Sequence, residues 1–189
     1  MGIQRPGRRP RGYHGVGHET LGSDILAVVR SLQLPEMTLG KEMAQTLAGV
    51  EKDSWYPIAT LLEAMEHLDR RIGANGLRQM GRTLFQLTHK SRGTPPSARA
   101  VIHGIDGMYH HANRGRDIGG WSVLRFEPGL AELEKNTPHH CVMEEGIVHA
   151  ALAAAGVTSE IAQVECFRRG HDVCVFRVES TVTDQRWSG

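Results

Sequence analysis

The chain lacks most of what would commit it to a specialised class. No stretch approaches the ~20 consecutive apolar residues of a membrane span, and the N-terminus has no apolar core of signal-peptide length. Neither charge sign dominates: 22 basic and 21 acidic residues leave a formal charge of +1, which argues against nucleic acid as a partner held by net charge. Three cysteines are too few for a disulfide framework, and an odd number leaves one unpaired in a monomer. Nucleophile-elbow (GxSxG), zinc-protease (HExxH) and glycine-rich phosphate-loop patterns are all missing, so no enzyme is expected. These absences point to a cytoplasmic protein in a reducing compartment, where thiols persist.

What remains is ordinary in bulk and uneven in detail. The 189 residues, 40% hydrophobic and 23% charged, suit one domain with a core that needs no staple to fold. Eleven histidines bring metal and proton chemistry into consideration. Charge is divided along the chain. Residues 1–18 hold Arg5, Arg8, Arg9 and Arg11 and no acid, so a +4 segment precedes a body of −3. That segment is rich in Gly and Pro. Residues 1–20 are therefore expected to be a basic disordered tail, 21–180 a single domain and 181–189 a C-terminal tail.

Periodicity divides the body. Residues 25–29 fit a strand or a helical turn, and residues 38–50 fit a short helix. From Pro57, the positions Ile58, Leu61, Leu62, Met65, Leu68 and Ile72 form one helical stripe, which Gly73 stops. A second helix from Asn75 buries Leu77, Met80, Leu84 and Leu87. Ser97 can cap a third, carrying Val101, Ile105, Met108 and Tyr109. After Gly120 the period changes to two. Strands are expected over 121–127 and 130–135, a helix over 141–155, and a closing hairpin of 161–168 and 173–180 with its tip at 169–172. Helices first, then β-β-α-β-β, is an α+β pattern with an antiparallel sheet.

The cysteines lie at informative places in that pattern. Strict alternation puts Ala162, Val164 and Cys166 on the core face, with Cys174, Phe176 and Val178 opposite. Cys141 starts the preceding helix, a position that favours thiolate. Three thiols from two elements could converge on one metal-binding point, and free cysteines are also often no more than small buried hydrophobes. His139, His140, His171, Glu165 and Gln163 are the candidates for a fourth ligand. Glu144 and Glu145, near a helix start, are read as partners of the helix dipole.

Residues 121–178 resemble the 4-vinyl-reductase-type ligand-binding domain, through Cys141 ahead of a helix containing Gly146 and then VECFRRGHDVCVFRV. The upstream DSWYPIATLLEAMEHLDRRIGANGLRQMGRTLF resembles the helical half of the wider superfamily. That superfamily includes heme–nitric-oxide sensor domains, Bet3-type tethering subunits and phenol-sensor domains. The resemblance implies a hydrophobic cavity between helices and sheet, often in a homodimer, and a small apolar or aromatic ligand. It also implies a structural zinc at Cys141, Cys166 and Cys174. The acidic fourth ligand of the phenol sensors is replaced by Gln163, which leaves room for His140 or His171. Trp121 stands where the phenol sensors use a tryptophan, and His89, His103 or His110 is its possible partner. Tyr109 and Phe126 complete the expected wall.

The expectation is therefore a non-catalytic small-molecule sensor or effector domain with a zinc site and a separate downstream protein partner. One alternative is a ligand-free scaffold module of the tethering kind. Another is a heme or tetrapyrrole sensor using His103, His110 or His111, although the Tyr-x-Ser-x-Arg pattern of heme–nitric-oxide domains is absent.

Overall fold

A computed structural model describes residues 17–89 and 93–189. Residues 1–16, which hold the four arginines of the basic segment, lie outside the described residues. The fold is α+β. Strand β1 (Glu19–Leu21) leads into α1 (Gly22–Ser31), α2 (Pro35–Leu39), α3 (Lys41–Ala48), β2 (Trp55–Pro57), α4 (Ile58–His89) and α5 (Ala98–Ala112). Then come β3 (Asn113–Arg114), β4 (Trp121–Glu127), β5 (Leu130–Lys135), α6 (Cys141–Ala154), β6 (Glu160–Glu165), β7 (Cys174–Glu179) and α7 (Gln185–Ser188). A small sheet of order β2-β1-β3 ties the start of the described chain to the helices, and the main antiparallel sheet runs β4-β5-β7-β6. Among the described residues no helix is long and apolar enough to cross a membrane.

The apolar stripe after Pro57 serves two cores. Leu61, Met65 and Leu68 join α1 and α3 in an all-helical cluster with Leu77, Met80 and Leu84. Ile58 and Leu62 turn instead towards α5 and the sheet. Gly73 breaks α4 at φ 64°, a conformation that costs residues with a Cβ but not glycine. Leu87 is 49% exposed rather than buried, because the last turn of α4 overhangs a surface cleft.

The second half of α4 crosses α6 at very short range. A Cβ on Gly81 would meet the Met143 carbonyl at 2.0 Å, and one on Gly146 would meet the Arg78 carbonyl at 2.1 Å. Backbone therefore touches backbone, and only two hydrogens at the Cα positions permit it. Arg78 closes the crossing with an ion pair to Glu145 at 2.6 Å.

Several local expectations are revised. Residues 25–29 belong to α1, a helix. The segment 38–50 is two helices, because Gly40 (φ 82°) separates α2 from α3. The closing hairpin is shorter in its strands and longer in its turn, which includes a 3-10 turn at Phe167–Arg169. A bulge between Gln163 and Glu165 changes which face is buried: Ala162 and Val164 face solvent, while Ile161 and Gln163 turn inward. Residues 185–188, expected as tail, fold as α7. Trp187 is buried there, its ring stacked on Phe126 at 5.4 Å and its indole N–H donating to the Glu127 carbonyl at 2.8 Å.

Candidate functional site

The three cysteines come from three places and meet. Cys141 opens α6. Cys174 opens β7, paired in register with Lys135. Cys166 lies just beyond β6, where its carbonyl accepts from Arg169 N–H at 2.9 Å and His171 N–H at 3.2 Å, folding the loop back on itself. All three thiols are free and buried. Their sulfurs lie within 4.8 Å of one another, with Cys141 Sγ and Cys166 Sγ 3.5 Å apart. The hydrogen bond from Cys174, with the Lys135 charge and contacts from Gln163 and Cys166, holds the Cys141 thiol well below its ordinary pKa despite burial. It therefore ionises before Cys174, whose bond to Cys141 and whose burial push its pKa up.

The histidine and glutamate candidates for a fourth ligand stand apart from this group. The ligand atoms clustered within 4.8 Å are the three sulfurs alone, among the described residues. His140 is buried with its Nε2 3.3 Å from the Asp69 carboxylate, and burial first, then Arg168, keeps its pKa low. His171 is exposed on the loop. Gln163 faces Cys141, with its amide nitrogen buried and lacking any other partner. Arg168 fastens the loop to α4 through Glu66 and through Asp69 at 2.9 Å.

Beside the sulfurs runs a line of buried charge. Lys135 has no solvent exposure, yet it sits in a core-facing register position. Its ammonium pairs with Glu144 and donates to the His139 carbonyl at 2.6 Å. Thr137 donates to the same carboxylate at 3.0 Å. Burial pushes the Glu144 pKa up, and the Lys135 charge opposes it. His139, hydrogen-bonded to the Asn113 side chain at 3.1 Å, is pushed down to about 3 by burial and by Lys135, so its imidazole is neutral. Tyr109 donates to the Ile118 carbonyl at 2.9 Å, and burial raises its pKa far above the usual phenol range.

Tyr109, His139 and Glu144 help line a chamber of about 90 Å³ between α1, α5, α6 and β4. Tyr109 and Trp121 supply its aromatic wall, and Asn113, His139, Glu144 and Asp24 supply its polar part. Trp121 is placed by Asp106, whose carboxylate accepts its backbone N–H at 2.7 Å. The chamber is small, and apolar side chains (Ile105, Met108, Ile147) share its lining with the polar ones. Of the five expected ligand contacts, Trp121 and Tyr109 reach it. His103 and His110 sit on the exposed side of α5: His103 meets Phe126 edge-on at 5.4 Å, and His110 faces Asp106 at 3.5 Å. Phe126 is committed to Trp187. The side chain of His89 lies outside the described residues.

The sequence does not reveal Glu144, Asn113 and Asp24 as chamber residues, nor Lys135 as the buried cation paired with Glu144. A signal for Lys135 was present, since β5 alternation sets it on the same face as Leu133 and Ala131. Glu144 hides in the first turn of a helix, where a solvated acid is the ordinary occupant.

A second, larger cleft of about 330 Å³ opens on the helical half, between α1, the end of α4 and α5. Leu26, Leu87 and Met108 form its apolar part, Arg30 and Lys52 its basic part, and His111 points onto it from α5.

No protein-family model matches the chain, and no curated protein matches it in sequence. Solved structures do match in fold. An H-NOX protein from S. oneidensis in the Fe(II)NO ligation state superposes with a TM-score of 0.65 at 15% identity, covering 85% of this chain and 99% of that one. The Fe(II) unliganded H-NOX protein from K. algicida gives 0.64 at 11% identity, over 86% and 97%. A variant of the T. Tengcongensis H-NOX gives 0.64 at 10% identity, over 86% and 98%. At such identities the likeness is one of architecture, and fold alone does not assign chemistry. The chain has the fold of H-NOX domains.

Proposed function

We propose that this chain is a non-catalytic, small-molecule-binding sensor domain whose Cys141, Cys166 and Cys174 hold a structural zinc ion. The observation that carries the metal is the convergence of three free thiols, from α6, β7 and the loop after β6, within 4.8 Å. Soft thiolates at that spacing fit a thiophilic ion, and zinc would add a cross-link between α6, β7 and the loop after β6. The fourth position belongs to a solvent ligand or to His140 after its ring leaves Asp69. Metal analysis of protein purified without chelator tests this: about one zinc per chain is expected, and less than about one per three chains sinks it. The small-molecule half rests on the chamber at Trp121 and the cleft at His111. An empty solvent extract, together with no thermal shift against a panel of small ligands, would favour the scaffold reading instead. A homodimer acting on a separate protein partner completes the proposal, and sedimentation of the full chain checks the dimer.

Heme is the second reading, favoured by the H-NOX fold and by His111 on the cleft. Histidine is a common axial ligand of heme iron. The inner chamber is too small for a tetrapyrrole, since pockets for ligands of drug size run roughly 300–1,000 Å³. The cleft is the place that fits: His111 would face the iron, Leu26, Leu87 and Met108 would meet the ring, and Arg30 and Lys52 would meet its acidic groups. A visible spectrum after adding hemin decides. A Soret band lost in His111→Ala supports heme, and a colourless sample with no band removes it.

A further inference from the structure

The two faces of the main sheet differ in what lies over them. On one, residues of α5, α6 and α7 pack over Ala131, Leu133, Phe176 and Val178. The register sets cross-strand rows on the other. The row Arg125, Glu132, Arg177 and Ala162 is open, with Glu132 alone half-buried. The row beside it, Ser122, Glu134, Val175 and Glu165, is closed at its centre. Glu134 is 0% exposed and Val175 6%, although Val175 belongs to neither apolar core. We infer that this row is the docking site of the chain's own basic segment, residues 1–16, with its arginines against Glu134 and Glu165.

Charge complementarity chooses the occupant. The row carries two carboxylates and no base. The cations of the open row are committed away from it, Arg125 to Glu127 at 2.6 Å and Arg177 to Glu179 at 2.7 Å. A carboxylate taken out of water keeps its charge beside cations and hydrogen-bond donors, so the cover of this row is a basic one. Residues 1–16 hold Arg5, Arg8, Arg9 and Arg11 and no acid. A guanidinium suits the place, because its planar fork matches a carboxylate and its weak hydration makes burial less costly.

The starting point and the length agree. The described chain begins at the end of the sheet where this row lies. A Cβ on Gly115 would stand 3.1 Å from the Gly17 carbonyl oxygen, and His18 meets the Arg116 carbonyl at 2.6 Å. From Arg116 the chain reaches Ser122 within about 20 Å, passing Gly120, whose N–H donates to the Asn136 side chain at 2.7 Å. Residues 1–16 extend to about 50 Å. That exceeds the way to Ser122 plus the roughly 14 Å across four strands. On their inner side the same strands pair Lys135 with Cys174, so the docked segment braces the sheet behind the sulfurs.

Limited trypsin digestion of the full-length protein, read by mass, tests the inference. Trypsin cuts after Arg8 and Arg11, since Arg5 and Arg9 precede proline. Cleavage after Arg11 should be at least about tenfold slower than in a synthetic peptide of residues 1–17, because it follows the population of the opened form. Raising sodium chloride from about 0.05 to about 0.5 M should remove most of that protection relative to the peptide at the same salt. Glu134→Gln should speed cleavage at least about threefold with the circular dichroism spectrum unchanged. Glu165→Gln, at a half-buried position, should act likewise and serves if Glu134→Gln folds poorly. Glu179→Gln, one row beyond the open row, should leave the rate as it is. Cleavage at the rate of the free peptide overturns the inference, as does protection that survives both row variants. Protection lost on dilution overturns it in favour of a second copy of the chain, and protection lost after nuclease treatment overturns it in favour of nucleic acid. None of these outcomes touches the metal or ligand readings.

Discussion

The two halves of this molecule bury different things. The helical half, built from α1, α3 and most of α4, hides Ile25, Leu47, Leu61, Met65, Leu68 and their neighbours, with no charge among them. The sheet half hides aromatic and aliphatic residues too, but it also hides Lys135, Glu144, His139 and three thiols. An apolar core gains free energy from burial without specifying any chemistry. A buried ion pair repays little of its desolvation cost and is poor evidence of stability. The second half carries groups that stability does not require, and these are the groups that line the chamber and flank the sulfurs. Helix α6 belongs to both. Its first turn holds Cys141 and Glu144, and one turn later Gly146 lies against the backbone of α4.

The sharpest way to break the comparison is to unpair the buried charge. Lys135→Met leaves Glu144 buried without its cation and should destabilise the protein by about 3–5 kcal/mol, read by urea unfolding at pH 7. Lys135→Met combined with Glu144→Leu should recover at least half of that loss, since an apolar pair of similar volume needs no partner. A single variant within about 1 kcal/mol of the parent would mean that the two halves are not different in kind.

The next effect tests the contact between the halves. Gly146→Ala places a methyl group where only 2.1 Å separates it from the Arg78 carbonyl, and backbone, unlike a side chain, cannot rotate away. The helices must part. A loss of about 3 kcal/mol is expected, which for a chain of this length lowers Tm by roughly 6–12 °C. The methyl group adds no polarity, so the loss belongs to packing alone. Differential scanning calorimetry reads it, and an unchanged Tm would show that the crossing is looser than the backbone geometry implies.

The same contrast explains what was legible in the sequence. Helical periodicity exposes an apolar stripe directly, so Ile58 to Leu68, the stop at Gly73 and the second helix were readable. Strand alternation gave β4 and β5, and the helix–strand order gave the antiparallel α+β arrangement. Alternation failed at the last hairpin, because one extra residue between Gln163 and Glu165 reverses every face beyond it. That slip hid the inward turn of Gln163 and the exposure of Val164. The convergence of the cysteines was open to suspicion from their places at element ends. The chamber was not, since Asp24, Asn113 and Glu144 come from three distant segments and join only when α6 docks. His103 and Phe126 stand elsewhere: one lies on the outer side of α5 and the other is covered by Trp187, in a segment that reads as tail.

The smallest expected effect separates burial from charge. Ser97 is nearly as buried as Lys135, at 2% exposure, but it is neutral and its hydroxyl accepts from a group close in sequence, the Ala100 N–H at 3.3 Å. It caps α5, the helix that carries Tyr109 and Met108 to the chamber. Ser97→Ala should cost about 1 kcal/mol, the usual loss for a helix cap, because one amide near the helix start loses its acceptor while no charge is stranded. Urea unfolding under the same conditions as for Lys135→Met makes the two directly comparable. A ratio of about three or more between them attributes the larger loss to stranded charge rather than to the loss of a buried polar contact. Equal losses would assign both to lost packing, and the buried pair would then have no claim to be more than part of the core.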